Sequence, residues 1–362
     1  MLQAENEQGD LVPLWQLARE QIKQIKDKNF YCPGCKEKVL IKAGWKNTPH
    51  FAHQKQTNCT LSTGEGIYHE NGKKDIYVWL KKQGFTVHLE YYLPAIKQRA
   101  DIYLEVNKKR IAIEYQCATI SRNEIMERTN GYRSIGIIPI WILGANKLRR
   151  KAASSLHIPS ANQAFLHQFH PSFPISLYYY CSDEKKWIIY QDIIFLSKTL
   201  TYGVLHVKSL SSTLFQDLFK VRTRNRQSFH SYWHKYKSKW KHRPAPNYYQ
   251  EETNWRQWLY LHQLTVQSLP TYSYFPITTQ FQMKTPPWIW QSKLYVELFL
   301  THDIFTIQEA QYLLQKHYLP AEHFPLIQVN QDPIGEYLQQ LVHINILQKV
   351  SNISYKVVHT IV

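Results

Sequence analysis

Asp101, Glu114 and Gln116 are the residues whose types and spacing could do chemistry. They lie in RADIYLEVNKKRIAIEYQ, residues 99–116, where two runs rich in Ile, Tyr and Val flank Asn107-Lys108-Lys109. That pattern predicts a β-hairpin with a tight polar turn. Folding about the midpoint of Asn107 and Lys108 sets Asp101 directly opposite Glu114. Side chains alternate along a strand, so Asp101, Tyr103 and Glu105 share a face with Gln116, Glu114, Ala112 and Arg110. Ala100, Ile102, Leu104, Val106, Ile111, Ile113 and Tyr115 make the other, a core face. Opposed Cβ atoms lie about 4.5–5.5 Å apart, and like charges at that spacing destabilise a sheet. Such a carboxylate pair calls for a proton or a cation, and a divalent metal is the attractive reading. An Asp-x12-Glu-x-Gln pattern on adjacent strands fits metal-assisted phosphodiester hydrolysis. Asp101 and Glu114 would hold Mg²⁺ or Mn²⁺, and Gln116 would orient the nucleophile.

The elements that must position these residues are legible on either side. GEGIYHENGKKDIYVWLKKQG (64–84) reads as a helix ended by Gly84, with Gly72 a weak point inside it. Glu65, His69 and Lys73 fall at i, i+4 and i+8, which lines one helical face or simply a solvated one. FTVHLEYYL (85–93) alternates as a half-buried strand. Residues 120–136 read as a helix with Ser121 as N-cap and Glu124 three residues on, a capping box. IIPIWILG (137–144) reads as a buried strand whose Pro predicts a strand start or an edge. The order from residue 65 is therefore α-β-β-β-α-β. It matches the core of the PD-(D/E)XK nuclease superfold, a restriction-endonuclease-like α/β fold. The matching residues are Asp101, Glu114 and Gln116, with Gln116 standing where that superfold usually has Lys. Lys73 is a candidate source of the missing positive charge.

Upstream, residues 1–62 form a small zinc-finger-like unit. Cys32 and Cys35 sit in a YCPGC knuckle, and His50 and His53 follow a fourteen-residue gap. Cys32, Cys35, His50 and His53 could supply four tetrahedral Zn²⁺ ligands, and Cys59 could replace either His. The alternative is a small β unit with ordinary cysteines. Five cysteines are few and odd in number, which points away from a disulfide framework and towards a reduced, cytoplasmic chain.

Downstream of the nuclease-like span, 63–150, lies a basic, aromatic-rich region, 151–362, read as mainly α-helical. Within it, 173–196 reads as two strands, and the last sixty residues as two helices and a strand, a winged-helix-like end. Residues 220–243 hold nine Lys or Arg and no acid: Lys220, Arg222, Arg224, Arg226, Lys235, Lys237, Lys239, Lys241 and Arg243. Phe229, Trp233, Tyr236 and Trp240 recur there at helical spacing, a buried seam before it is a base-stacking platform. The cations around that seam are the candidate DNA-binding face.

A chain of 362 residues has room for two or three domains and a sizeable core. Its formal charge of +17 favours phosphate-bearing partners. The longest apolar run, IGIIPIWIL, is half the length of a membrane span, and the acidic start MLQAENEQGD is no secretory signal. No membrane insertion is expected.

In their order, the Cys-x2-Cys unit with HFAH, the helix carrying His69 and Lys73, RADI, AIEYQ, a Ser-initiated helix and PIWILG resemble the competence protein CoiA family over roughly residues 30–144. The basic C-terminal region follows more diffusely. The resemblance implies a cytoplasmic protein that acts on incoming single-stranded or branched DNA during natural transformation, in cooperation with the recombinase. It implies a functional role for the face of Glu65, His69 and Lys73, with Glu65 a third carboxylate. A metal-dependent DNA nuclease is the first reading. The second is a non-catalytic DNA-binding recombination accessory that keeps the nuclease fold.

Overall fold

The structure, a computed structural model, describes residues 1–44, 49–54, 59, 66–243, 249–327 and 332–358. It divides into two compact units, one of Met1–Leu148, Leu177–Ile189 and His206–Lys220, the other of Arg149–Ser176, Tyr190–Leu205 and Val221–Val362.

The first unit begins with β1 (Gln3–Glu5), β2 (Leu11–Pro13), α1 (Arg19–Ile25), β3 (Phe30–Tyr31), β4 (Lys38–Lys42) and β5 (His50–His53). The strands form a sheet in the order β2-β1-β3-β4-β5. Ala4, Leu14, Ile22, Phe30, Val39 and Phe51 fill its small core together with Cys32.

Then come α2 (Ile67–Lys82), β6 (Thr86–Leu93), β7 (Gln98–Val106), β8 (Lys109–Gln116), α3 (Arg122–Ser134) and β9 (Ile137–Gly144), in the α-β-β-β-α-β order. The β7–β8 hairpin pairs Val106 with Lys109 and Ile102 with Ile113, which is the register read from the sequence. Asn107 and Lys108 both take positive φ, +49° and +63°, as a two-residue hairpin turn of matching twist requires. Gly84 ends the run after α2 at φ +82°, and Ser121 Oγ accepts the Glu124 N–H at 3.1 Å to start α3. β8 and β9 run parallel, with α3 as the crossover.

Pro139 is not at a strand start or an outer edge. It is the third residue of β9, opposite Ala112 of β8. The chain continues through β10 (Arg150–Ala152), β11 (Ser155–His157), β12 (Ser176–Cys181), β13 (Lys186–Phe195) and β14 (Leu200–Ser209). β12 pairs with β9 at Leu143 and Gly144, beyond the Pro, so the missing N–H breaks no pairing there. In the first unit the sheet order is β14-β13-β12-β9-β8-β7-β6. β13 and β14 lie partly in each unit, and in the second the order is β10-β11-β14-β13. The region after residue 150 thus starts with strands, and its helices come later.

Two helices cover opposite faces of the first unit's sheet. Ile76, Tyr77, Trp79 and Leu80 of α2 pack on Ile102, Leu104, Ile113, Tyr115 and Ile142. Tyr132 of α3 packs on Ala100, Tyr103, Ala112 and Ile137. Gly72 explains its own presence: it is buried where α2 crosses Tyr115, and a Cβ there would fall inside the tyrosine ring's van der Waals envelope.

The second unit holds α4 (Arg226–Lys241), α5 (Gln250–Leu261), α6 (Pro287–Leu294), β15 (Ile304–Thr306), α7 (Ile307–Leu313), α8 (Pro333–His343), β16 (Leu347–Lys349) and β17 (Ser354–Val357). The last three strands form an antiparallel sheet in the order β15-β17-β16. Phe229, Trp233 and Trp240 of α4 are buried against Trp255 and Trp288, so the aromatic stripe is a core seam. No helix among the described residues is long and apolar enough to cross a membrane.

Because Tyr115 has no room to retreat, Gly72→Ala is expected to destabilise the protein by about 1–3 kcal/mol despite alanine's better helix propensity. Urea unfolding of the two proteins measures it, and equal stability would show that the ring can move aside.

Candidate functional site

The site lies where β6 and β7 change faces. Leu89, Tyr91 and Leu93 have the same parity, yet Leu89 packs on the α2 side and Tyr91 and Leu93 on the α3 side. Ile102 and Ala100 divide in the same way. The break falls at Glu90, which takes φ +50° in mid-strand, a left-handed conformation rare outside glycine. In the β6–β7 register, Leu89 pairs with Ile102 and Tyr91 with Ala100, so Glu90 stands across from Asp101. The reversal turns Asp101 towards α2 while Glu114 stays on the α3 side, so the two acids do not share the one face that strict alternation predicts.

Asp101 and Glu114 sit one step beyond the last ladder pair, Ile102–Ile113, and Asp101 Oδ2 accepts the Tyr115 N–H at 2.9 Å. His69 and Lys73, one helical turn apart on α2, approach Asp101 from one side. His69 Nε2 is 3.7 Å from Oδ2, and Lys73 Nζ is 3.8 Å from Oδ1. Lys73 is fully buried and makes a closer ion pair, 2.8 Å, with Glu90 Oε1. Glu114 Oε1 accepts from Arg128 and from the Tyr132 hydroxyl, one turn apart on α3. Arg128 also donates to Arg99 O at 3.0 Å and lies over the Trp141 ring. Each carboxylate thus receives cationic or polar partners from its own helix.

These surroundings push the two acids apart. Burial alone would raise the Asp101 carboxyl, but Lys73 and His69 outweigh it and hold Asp101 well below the ordinary range. Burial is opposed at Glu114 by Arg128 and reinforced by the charge of Asp101, and its carboxyl is pushed up to about 7. For His69 the attraction of Asp101 overcomes burial and raises the imidazole to about 10, so it is a cation at neutral pH.

Gln116 Nε2 donates to Ala118 O at 3.0 Å. Glu65 lies outside the described residues. In the N-terminal unit, Cys32, Cys35, His53 and Cys59 come together, each offering one ligand atom within 4.8 Å of the others. His50 is not in this group. His50 and His53 are three apart on β5, and alternation sends them to opposite faces, a parity that the sequence already contained. The Cys₃His cluster is compatible with metal binding.

Most of the candidate DNA-binding cations have partners inside the protein. Lys220 pairs with Asp217, Arg224 with Asp192 and Arg243 with Glu252. Arg222 donates to Gln191, and Lys237 and Lys241 lie over Tyr274. Arg226, Lys235 and Lys239 are exposed on α4. Sequence reasoning missed Glu90, Arg128 and Tyr132. The i, i+4 spacing of Arg128 and Tyr132 was a usable signal, whereas nothing marks Glu90 as left-handed.

A carboxyl raised in the folded state stabilises the fold at low pH and loses that contribution as pH rises. The Glu114 contribution is full below about 4.5 and lost by about 7. Wild type is therefore expected to lose about 3 kcal/mol relative to Glu114→Gln between those limits. Urea unfolding of both proteins across the range reads it out, and a pH-independent difference would contradict the raised carboxyl.

Residues 14–62 match the family model described as competence protein CoiA, N-terminal domain, residues 65–223 the CoiA nuclease-like domain, and residues 229–361 the CoiA C-terminal domain. Competence protein CoiA of Bacillus subtilis (strain 168) is 32% identical over 289 residues, covering 79% of this chain and 75% of that protein. No solved structure matches. Three domain matches in order and a relative of that extent show that the chain belongs to the competence protein CoiA family.

Proposed function

We propose that this chain is a divalent-metal-dependent DNA nuclease of the PD-(D/E)XK type that processes incoming or branched DNA during natural transformation, in the cytoplasm and alongside the recombinase. The observation that carries this reading is that Asp101 and Glu114 are both buried one step beyond the Ile102–Ile113 pair, Asp101 beside His69 and Lys73 of α2 and Glu114 beside Arg128 and Tyr132 of α3. The donor set fits Mg²⁺ or Mn²⁺. Both acids are hard oxygen ligands, and the proton affinity of Glu114 is raised by burial and by Asp101, which a cation between them would relieve. Such an ion supplies Lewis acidity to a phosphate oxygen and lowers the pKa of its water.

The remaining roles fall to the chain. Asp101 and Glu114 would hold the ion, and Arg128 and Tyr132 fix the Glu114 carboxylate from α3. Lys73 and His69 set positive charge beside Asp101, where a phosphodiester gains negative charge on reaction. Lys73 thereby stands in for the lysine that Gln116 replaces, and Gln116 orients the attacking water. Arg226, Lys235 and Lys239 supply phosphate contacts on α4.

The Cys32, Cys35, His53 and Cys59 cluster is a structural zinc site in this reading. Three thiols and an imidazole are the soft donors zinc takes, and burial together with hydrogen bonds from Cys59 and Cys32 pushes the Cys35 thiol up to about 12, a crowding a cation would relieve. Cys59→Ser is expected to lose the metal and His50→Ala to keep it, by elemental analysis of purified protein. Retention of zinc by Cys59→Ser would remove Cys59 from the ligand set.

A second reading, a non-catalytic DNA-binding recombination accessory, is favoured by Gln116, whose amide is tied to Ala118 O instead of offering a cation. One screen separates the two. Single-stranded, duplex, flap and branched DNA are offered with Mg²⁺ or Mn²⁺ to wild type, Asp101→Ala and Glu114→Ala. Cleavage by wild type, reduced about 10²-fold or more in both variants, supports the nuclease. Binding with a steep salt slope and no cleavage with any metal supports the accessory.

A further inference from the structure

Glu90 is a buried acid that the roles above leave unused. Its side chain is almost wholly enclosed, it stands across from Asp101, and it holds Lys73 at 2.8 Å where Asp101 holds it at 3.8 Å. Its second oxygen accepts the Leu2 N–H at 2.7 Å, and Gln3 Nε2 donates to the neighbouring Leu89 O. The N-terminal segment leading into β1 thus fixes the carboxylate from behind. The backbone at Glu90 is in the left-handed region, φ +50°, which for a side chain of this size is strained. Strain and charge burial coincide at one residue, and that residue touches the amine beside the proposed metal ligand.

We infer that Glu90 is a positioning residue: it holds the buried Lys73 ammonium at 2.8 Å while Asp101 stands at 3.8 Å, so that Lys73 supplies positive charge beside Asp101 without occupying that carboxylate. The inference rests on the nuclease reading of Asp101 and Glu114. Lys73 lies between two acids and nearer to Glu90, so without the Glu90 charge Asp101 would be the nearer of the two ion-pair partners. Burial keeps water from screening that choice, so the nearer carboxylate governs where the amine sits. The Glu90 carboxyl is itself held well below the ordinary range, burial being outweighed by Lys73 and Arg99, so it is charged whenever the fold is intact. The tie to Leu2 makes the placement of Lys73 depend on the N-terminal segment being seated on β6.

The test is a cycle of Glu90→Gln, Lys73→Met and the double variant, read by urea midpoint and by cleavage kinetics on the best substrate of the wild type. Glu90→Gln leaves a buried ammonium short of its nearer partner, and its midpoint is expected to fall by on the order of 1 M urea. The double variant removes both charges and recovers much of that loss. If Glu90 acts through Lys73, Glu90→Gln lowers kcat about 10-fold or more with KM within about twofold, and it lowers cleavage no further in the Lys73→Met background. A double variant that regains wild-type cleavage along with stability would make the pair merely structural and overturn the inference. So would wild-type kcat in Glu90→Gln, or losses that add independently. If Glu90→Gln alone does not fold, the double variant compared with Lys73→Met still decides: a further drop in cleavage overturns the inference, and equality upholds it. A wild type that does not cleave fails at the nuclease reading itself, and the inference falls with it, whereas a cleaving wild type with unaffected variants fails only here.

Discussion

The site depends on one constraint: three carboxylates, Glu90, Asp101 and Glu114, are buried within two neighbouring strand pairings. An ionised group taken out of water costs several kcal/mol unless it is paired and hydrogen-bonded. A single helix cannot serve all three, because the acids do not leave the sheet on one side. The structure meets the constraint from both faces, with Lys73 and His69 on α2 and Arg128 and Tyr132 on α3. The spacing within each pair, four residues, puts both side chains on the turn that crosses the acids. The two helices that cover the core are therefore also the source of its counter-charge.

The hairpin was legible because several local rules agree on it. Asn107-Lys108 accepts two positive φ values, the flanking strands alternate, and a slip by one residue would expose Ile102, Ile111 and Ile113. The α-β-β-β-α-β order was legible for the same reason. Glu90 was not, because FTVHLEYYL reads as uninterrupted alternation and assigns Glu90 to the solvent face. Its left-handed backbone is imposed by tertiary partners, Lys73 and the Leu2 N–H, that lie far away in sequence. The Cys₃His cluster was half legible. Cys32, Cys35 and His53 followed from spacing, but choosing between His50 and Cys59 required knowing that HFAH is a strand.

The C-terminal basic stretch shows a different limit. A sequence counts charges but does not show where they point. The aromatic seam of α4 follows from its period and is buried as that period demands. The nine cations around it divide according to neighbours drawn from elsewhere in the chain, Asp192, Glu252 and Tyr274 among them. An arginine paired to a partly buried aspartate is an anchor for the segment before α4 before it is a phosphate ligand. Fewer of these cations are free of partners than the net charge suggests, and on α4 Arg226, Lys235 and Lys239 are the exposed ones.

The same energetics bear on whether the nuclease-like domain acts as an enzyme. Buried ion pairs are poor devices for stability, since apolar residues of similar volume often do as well or better. A domain that used its fold only as a platform for DNA would gain nothing from enclosing Lys73, Glu90, Asp101 and Glu114, and would be better served by positive charge at the surface. Here a fully buried ammonium stands between two acids, one of them on a strained backbone, while the opposed carboxylate keeps a proton affinity near neutrality. Strain at Glu90 and perturbed protonation at Glu114 are features that chemistry uses and that packing alone disfavours. In the nuclease reading, Lys73 brings to Asp101 from α2 the positive charge that a lysine at the Gln116 position would carry.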